Sequence, residues 1–288
     1  MCCVDSNPSS PSVVHVIPGG NPVTGVTSLG DDVFVVHHTS QQKIEVYDAK
    51  TFTLQRNITI PDLGYYSFGL AACPYNKCLY ASGHDYCGKN GSVHRVVELS
   101  GSNVVMKWSA ASMPSGLSVN SEHNLIVVSH RERKLLIFTT HGTLLQDIQL
   151  LDGIDSPWHA VQLPATSQFL VTDVFGGSLH RVSLVGVEGA VVRSYGEQAG
   201  SDLKQMDNPR GLAVDREGRV LVADMGNNRV LVIDQSLSSA HEMSVSADGG
   251  LKGPCSLWYD QSLRRLYISE LNGGRVIDIE NLKDFSNI

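Results

Sequence analysis

The 288-residue sequence predicts an all-β fold, a six-bladed β-propeller with four-stranded antiparallel blades. Three observations carry the prediction. A motif recurs six times, it recurs at a propeller period, and each copy divides into short apolar runs separated by Gly, Asn and Asp. Anchoring each copy on the residue aligned with Gly211 gives Gly25, Gly69, Gly116, His159, Gly211 and Ser256, separated by 44, 47, 43, 52 and 45 residues. Periods of roughly 40 to 50 residues with several short strands mark propeller blades, whereas leucine-rich, ankyrin and TPR solenoids repeat at about 20 to 35.

The clearest copy is MDNPRGLAVDREGRVLVADMGNNRVLVID, residues 206 to 234. Leu212 to Val214 reads as a first strand and Asp215 to Gly218 as a hairpin turn with its Gly. Val220 to Ala223 is the second strand. Met225 to Asn228 forms a corner, because Gly and Asn tolerate the positive φ that such corners need. Val230 to Ile233 is the third strand, and the fourth is ragged: Val191 to Tyr195 before this copy, Met243 to Val245 after it. Second and third strands are nearly continuous apolar runs, as expected for sheets covered on both faces. No segment holds a helical period, and Val, Ile and Thr are dense throughout.

The last copy supplies three strands ending near Ile279, while Val13 to Ile17 precedes the first anchor as an orphan. Pairing the orphan with the last blade removes two exposed edges, so the ring is expected to close there. This divides the chain into a flexible segment over residues 1 to 12, one propeller over 13 to 280 and a tail over 281 to 288.

The formal charge of −7 argues against a protein whose overall field collects polyanions, so DNA is not an expected partner. The N-terminus MCCVDSNPSSPS lacks the basic and apolar regions of a secretory signal, and no apolar run approaches a membrane span. A soluble, cytoplasmic, monomeric domain with no membrane partner is the expectation. Six cysteines are too few for a disulfide scaffold at this size, and Cys73, Cys78 and Cys87 are expected as unpaired thiols. The absence of Gly-x-Ser-x-Gly, Walker A and dinucleotide fingerprints gives no reason to expect a cofactor.

The run Asn208-Pro209-Arg210-Gly211-Leu212-Ala213-Val214-Asp215, followed by Ala223-Asp224 and Asn227-Asn228-Arg229-Val230, resembles an NHL repeat. Copies from Met113, Ser156 and Gly253 keep the pattern, and those from Thr24 and Ser67 keep it weakly. The resemblance implies a propeller similar to the C-terminal one of TRIM-NHL proteins. It also implies a non-catalytic recognition scaffold that binds protein, or in some members RNA, on its top face. That face comprises the loops leading into each first strand and the corners between second and third strands. No Cys/His set has zinc-ligand spacing and no heptads occur, so ubiquitin-ligase chemistry is not expected of this chain. Corner cations are nearly balanced by acids on the lead-in loops, which disfavours broad phosphate tracking.

Asp224 with Arg229 and Glu270 with Arg275 repeat one arrangement five residues apart, and a pair that recurs with the repeat belongs to the scaffold. Function is expected where copies disagree. Trp158, His159, Arg210, Phe68, His130, Arg131, Phe175 and Tyr86 fall on the top face, with Phe68, Trp158, Arg210, Ser115 and Cys255 at equivalent positions around the channel mouth. An aromatic beside an Arg suits a partner peptide or a stacked base, or else Trp158 simply caps the channel. The alternative is a metal-dependent propeller lyase or hydrolase, in which His37, His130 and His159 supply three imidazoles with an open position.

Overall fold

The computed structural model describes residues 12–280 except 39–41, 65, 99–102, 111, 152, 165, 175–178 and 197. The expected terminal segments, residues 1 to 12 and 281 to 288, therefore lie outside the described residues apart from Ser12. Among the described residues, 24 strands form six four-stranded antiparallel sheets, a six-bladed propeller, and no helix is long and apolar enough to cross a membrane.

β1 (Ser12–Ile17) comes first in the chain and last in the ring. Blade 1 is β2 (Val23–Leu29), β3 (Asp32–His37), β4 (Lys43–Asp48) and β5 (Leu54–Thr59). Blade 2 is β6 (Tyr66–Cys73), β7 (Cys78–His84), β8 (Gly91–Glu98) and β9 (Asn103–Ser109). Blade 3 is β10 (Pro114–Val119), β11 (Leu125–Ser129), β12 (Lys134–Phe138) and β13 (Leu144–Gln149). Blade 4 is β14 (Pro157–Gln162), β15 (Phe169–Asp173), β16 (Arg181–Val185) and β17 (Val191–Tyr195). Blade 5 is β18 (Pro209–Val214), β19 (Val220–Asp224), β20 (Arg229–Ile233) and β21 (Ala240–Glu242). Blade 6 is β22 (Pro254–Asp260), β23 (Arg265–Glu270) and β24 (Val276–Glu280), with β1 paired antiparallel to β24 through Val13 opposite Ile279 and Ile17 opposite Val276.

The first strand of each blade lies innermost and touches the first strands of both neighbours, β22 returning to β2. Every residue of β11, β19 and β20 is buried, because these strands are covered on both faces by adjacent blades. Between blades 5 and 6, for example, Leu221, Ala223, Val230 and Val232 pack in one core with Leu257, Ile268 and Ile277. One strand departs from expectation. The fourth strand of blade 5 is Ala240–Glu242 rather than Met243 to Val245, because Met243 turns inward to that same core and is buried there.

The inner strands share a feature that residue pattern alone does not predict. Each carries a β-bulge just after its first or second residue, at Val23/Gly25, Ser67/Leu70, Pro114/Leu117, Pro157/Ala160, Pro209/Leu212 and Pro254/Ser256. A bulge inserts one unpaired residue and re-aims its side chain. The anchor glycines follow from the crowding beside it. A Cβ on Gly116 would lie 2.4 Å from the His159 ring and 2.6 Å from the Trp158 carbonyl oxygen, and one on Gly211 would lie 2.8 Å from the Leu257 nitrogen.

Side-chain hydroxyls and one thiol bind the blades together where these strands approach. Thr24 donates to the Ser67 carbonyl at 2.8 Å, Ser115 to Trp158 at 2.7 Å, Thr172 to Arg210 at 2.7 Å, and the Cys255 thiol to Val23 at 3.0 Å across the closure.

The lead-in loops are held by buried carboxylates at the ends of second strands. Asp224 is fully buried, accepts the Asp207 N–H at 2.7 Å and is bound by Arg229 Nε at 2.7 Å. Arg229 then donates to the carbonyls of Ser201, Asp202 and Gln205, so the pair ties down the loop into β18. Glu270 and Arg275 repeat this: the carboxylate accepts the Lys252 N–H at 2.8 Å, and Arg275 reaches the Asp248 and Gly250 carbonyls. Asp173 extends the series to blade 4, accepting the Ser156 N–H at 2.8 Å with Arg181 opposite it in register. Burial pushes the Asp224 carboxyl up while its hydrogen bonds and Arg229 pull it down, so the pairing keeps a sequestered charge tolerable.

Deleting residues 12–17 should expose β24 and lower the melting temperature by roughly 10 °C, or abolish cooperative melting; an unchanged melt would contradict the pairing. Replacing Arg229 by Met strands a buried carboxylate, and urea unfolding should then show a loss of about 3–5 kcal/mol. A loss below about 1 kcal/mol, within the range of exposed pairs, would mean that Asp224 does not need Arg229.

Candidate functional site

The top face divides by blade. At the end of the second strand, blades 4, 5 and 6 carry Asp173, Asp224 and Glu270, whereas blades 1, 2 and 3 carry His37, Gly83 and Ser129. One position later, blades 1 to 3 carry His38, His84 and His130. The half-ring without buried carboxylates presents imidazoles instead.

These imidazoles belong to a contiguous aromatic cluster. His38 stacks on Tyr66 with centroids 4.8 Å apart, and Tyr66 is followed by Phe68 at 6.1 Å and Tyr86 at 6.2 Å. His84 stacks on Phe68 at 5.6 Å, and Phe68 meets Trp158 edge-on at 5.2 Å. His130 also meets Trp158 edge-on, at 5.8 Å. Ring geometry of this kind adds about 0.5–1.5 kcal/mol per pair beyond area burial, so the cluster is pre-organised. Arg210, from blade 5, completes it by placing its guanidinium 4.5 Å from the centre of the Trp158 ring. The repeated bulge brings Phe68, Trp158 and Arg210 together, since all three occupy the re-aimed position of their strands.

Access varies across the cluster. Tyr86 is 72% exposed, Arg131 is exposed and lies over Gly88, and Tyr66, Phe68, His38 and His130 are half-buried. Trp158 and Arg210 are each only 9% exposed and form the floor. Trp158 also lines the top of the central channel, a cavity of about 320 Å³ that runs between the inner strands toward Asn120, Gln162 and Gln261. Burial, chiefly, holds His38 and His130 below the ordinary imidazole range, and the charge of Arg210 acts on both in the same direction. Their neutral forms are favoured, and the fixed positive charge of the floor comes from Arg210.

Several expected site residues have other work. His159, expected at the channel mouth, bridges blades: its Nε2 donates to the Leu117 carbonyl of blade 3 at 3.0 Å, and its Nδ1 accepts the Leu212 N–H of blade 5 at 2.9 Å. Both ring nitrogens are thereby used. Of the other two imidazoles of the metal alternative, His37 uses both ring nitrogens, on Glu45 at 2.9 Å and the Asn21 carbonyl at 3.3 Å, while His130 Nδ1 donates to the Pro157 carbonyl at 2.9 Å. Among the described residues, no three His, Cys, Asp or Glu side chains gather where a metal ion would fit. Ser115 and Cys255 are buried latches rather than mouth groups, and Phe175 lies outside the described residues. Cys73 and Cys78 face each other across their hairpin as buried free thiols, and Cys87 is free and exposed.

Tyr66, which links His38 to Tyr86 and Phe68, was not among the expected residues. A sign of it exists in the sequence. Tyr66 precedes the anchor Gly69 by three residues, the offset at which Asn208 precedes Gly211.

Comparison with known proteins agrees with the repeat pattern. The NHL repeat family matches residues 206–233. Protein brain tumor of Drosophila melanogaster is 26% identical over 141 residues, 46% of this chain and 12% of that protein, so the match spans a small part of the relative's length. A structural-genomics protein from Bacteroides thetaiotaomicron VPI-5482 aligns over 91% of this chain and 70% of its own at 13% identity, with a TM-score of 0.69. A catalytically inactive virginiamycin B lyase from Staphylococcus aureus aligns over 91% of this chain and 81% of its own at 12% identity, with a TM-score of 0.59. At such identities the structural likeness speaks for the fold alone. The chain is thus a six-bladed β-propeller that carries an NHL repeat at residues 206–233 and is similar over part of its length to Protein brain tumor.

Proposed function

We propose that this propeller is a non-catalytic recognition scaffold that holds a protein partner on its top face. One observation carries the reading: aromatic and imidazole rings from four successive blades, with Arg210 of a fifth, touch one another on a single face. Tyr, Trp and Arg dominate binding energy at protein interfaces because they bury large area at low entropic cost while keeping a polar handle. Tyr86 and Tyr66 form the accessible shelf, Phe68 and His130 its walls, and Trp158 with Arg210 its floor. The rigid blades hold loops that would otherwise lose entropy on binding.

RNA is the second reading, favoured by the stacked sequence His38, Tyr66 and Tyr86, since bases stack on aromatic side chains without regard to sequence. The two readings separate in one experiment. A photo-crosslinking amino acid replaces Tyr86 on the top face or Tyr75, 73% exposed in the β6–β7 turn on the opposite face. Crosslinking in cells should yield adducts from position 86 and none from position 75. Those adducts should resist nuclease and be digested by protease. Adding Tyr66→Ala and Phe68→Ala should cut their yield about tenfold, the scale of a hot-spot loss. Adducts from position 75 alone would place recognition on the other face, and nuclease-sensitive adducts would replace protein by RNA.

A further inference from the structure

Arg210 is a buried charge with no counterion among the described residues. Its side chain is 9% exposed, yet its one hydrogen bond among the described residues is a long contact of 3.4 Å from Nε to Asn208 Oδ1, and no carboxylate pairs with it there. Burying a cation is costly unless it is paired and hydrogen-bonded. The guanidinium is instead stacked against Trp158, and its Nη donors make no hydrogen bond among the described residues. His38 and His130 lie near enough for the charge of Arg210 to act on them, and Cys255, which lines the channel, lies near it on that side.

Six other top-face cations are already matched, while Arg131 stays exposed without an ion pair among the described residues. Lys43 is paired with Glu45, Lys107 with Asp62, Arg133 with Asp155 and Lys134 with Asp147, in addition to Arg229 with Asp224 and Arg275 with Glu270. A polyphosphate backbone needs a row of free cations along its path. This face offers one deep guanidinium beside an apolar shelf, which suits a single carboxylate better than a chain of phosphates. A guanidinium presents two parallel N–H donors that match a carboxylate, and stacking on Trp158 fixes the plane of that fork.

Resting on the recognition reading above, we propose that Arg210 receives the side-chain carboxylate of an Asp or Glu in the protein partner, with the neighbouring apolar or aromatic residue of that segment seated on Tyr66, Phe68 and Tyr86. The partner thus completes an ion pair that the propeller leaves half-made, and the acid acts as the specificity element of the interface. Sequestering the carboxylate beside Trp158 makes the pairing sensitive to loss of either partner.

The test is peptide display against the full 288-residue chain, using randomised twelve-residue peptides fused at both ends so that no terminal carboxylate is offered. Wild type should enrich peptides with Asp or Glu at one register position next to an aromatic or aliphatic residue, and Arg210→Met should lose that acid preference. For a synthetic peptide taken from the selection, Glu→Gln should weaken binding to wild type at least tenfold and to Arg210→Met less than twofold, the mark of direct coupling. Arg210→Met should melt at or above the wild-type temperature, because it removes a buried charge without a counterion. Enriched peptides lacking the acid, or an equal Glu→Gln loss on both proteins, would overturn the inference and leave the recognition reading standing. A lowered melt with unchanged peptide preference would make Arg210 a structural pillar and also overturn it. Failure to enrich any peptide would overturn both readings, and oligouridylate binding that depends on Arg210 would reassign the guanidinium to phosphate.

Discussion

Everything in this propeller depends on how closely six inner strands approach around one axis. The approach leaves no room for a Cβ at Gly69, Gly116 or Gly211 without contact at 2.8 Å or less, which explains why the repeat is most regular at its anchor. It also brings backbone carbonyls of one blade within reach of hydroxyls on the previous one, so Thr24, Ser115 and Thr172 each bind a neighbour's carbonyl. Neutral hydrogen bonds of this kind add about 0.5–1.5 kcal/mol each, and their larger consequence is orientation. Leaving those hydroxyls unmet between apolar blades would cost more than the bonds contribute. His159 is the exception that fits the rule. It replaces the anchor glycine and spans blades 3 to 5, its ring filling the space that the missing Cβ of Gly116 leaves.

The same approach shapes the candidate site. A bulge in every inner strand re-aims one side chain, and the identity of that residue decides what each blade does with it. Thr24, Ser115 and Cys255 join neighbouring blades, whereas Phe68, Trp158 and Arg210 build the floor of the aromatic cluster. The ring is therefore mechanically uniform and chemically divided. Blades 4 to 6 use buried carboxylates to hold their lead-in loops, and blades 1 to 3 use the equivalent corners to present His38, His84 and His130. Arg210 lies within the braced half, a cation of blade 5 stacked on the Trp158 ring of blade 4.

Much of the fold was legible because strands, turns and blade period are written in local chemistry: apolar runs set the strands, Gly and Asn set the corners, and a last blade one strand short points to the orphan at Val13. The Asp224 and Glu270 pairs were legible through their recurrence, while Asp173 was obscured because Arg181 follows it by eight residues rather than five. The site was less legible. The repeat placed Phe68, Trp158 and Arg210 at equivalent positions around the channel mouth, but bulges are set by strand register and curvature, so the sequence did not show that these side chains would touch. His159 looked like chemistry because it broke the glycine rule, and three dimensions were needed to see both of its nitrogens engaged. Tyr66 escaped notice because its copy of the repeat diverges most just where it contributes.

The most direct test of this account is the thermal unfolding of Gly116→Ala. Adding one methyl should drive it into the His159 ring and the Trp158 carbonyl, break the strut between blades 3 and 5, and lower the melting temperature by about 5 °C or more. A melt within about 1 °C of wild type, far below the usual cost of overpacking, would contradict the claim that inner-strand approach governs the ring and the face built upon it.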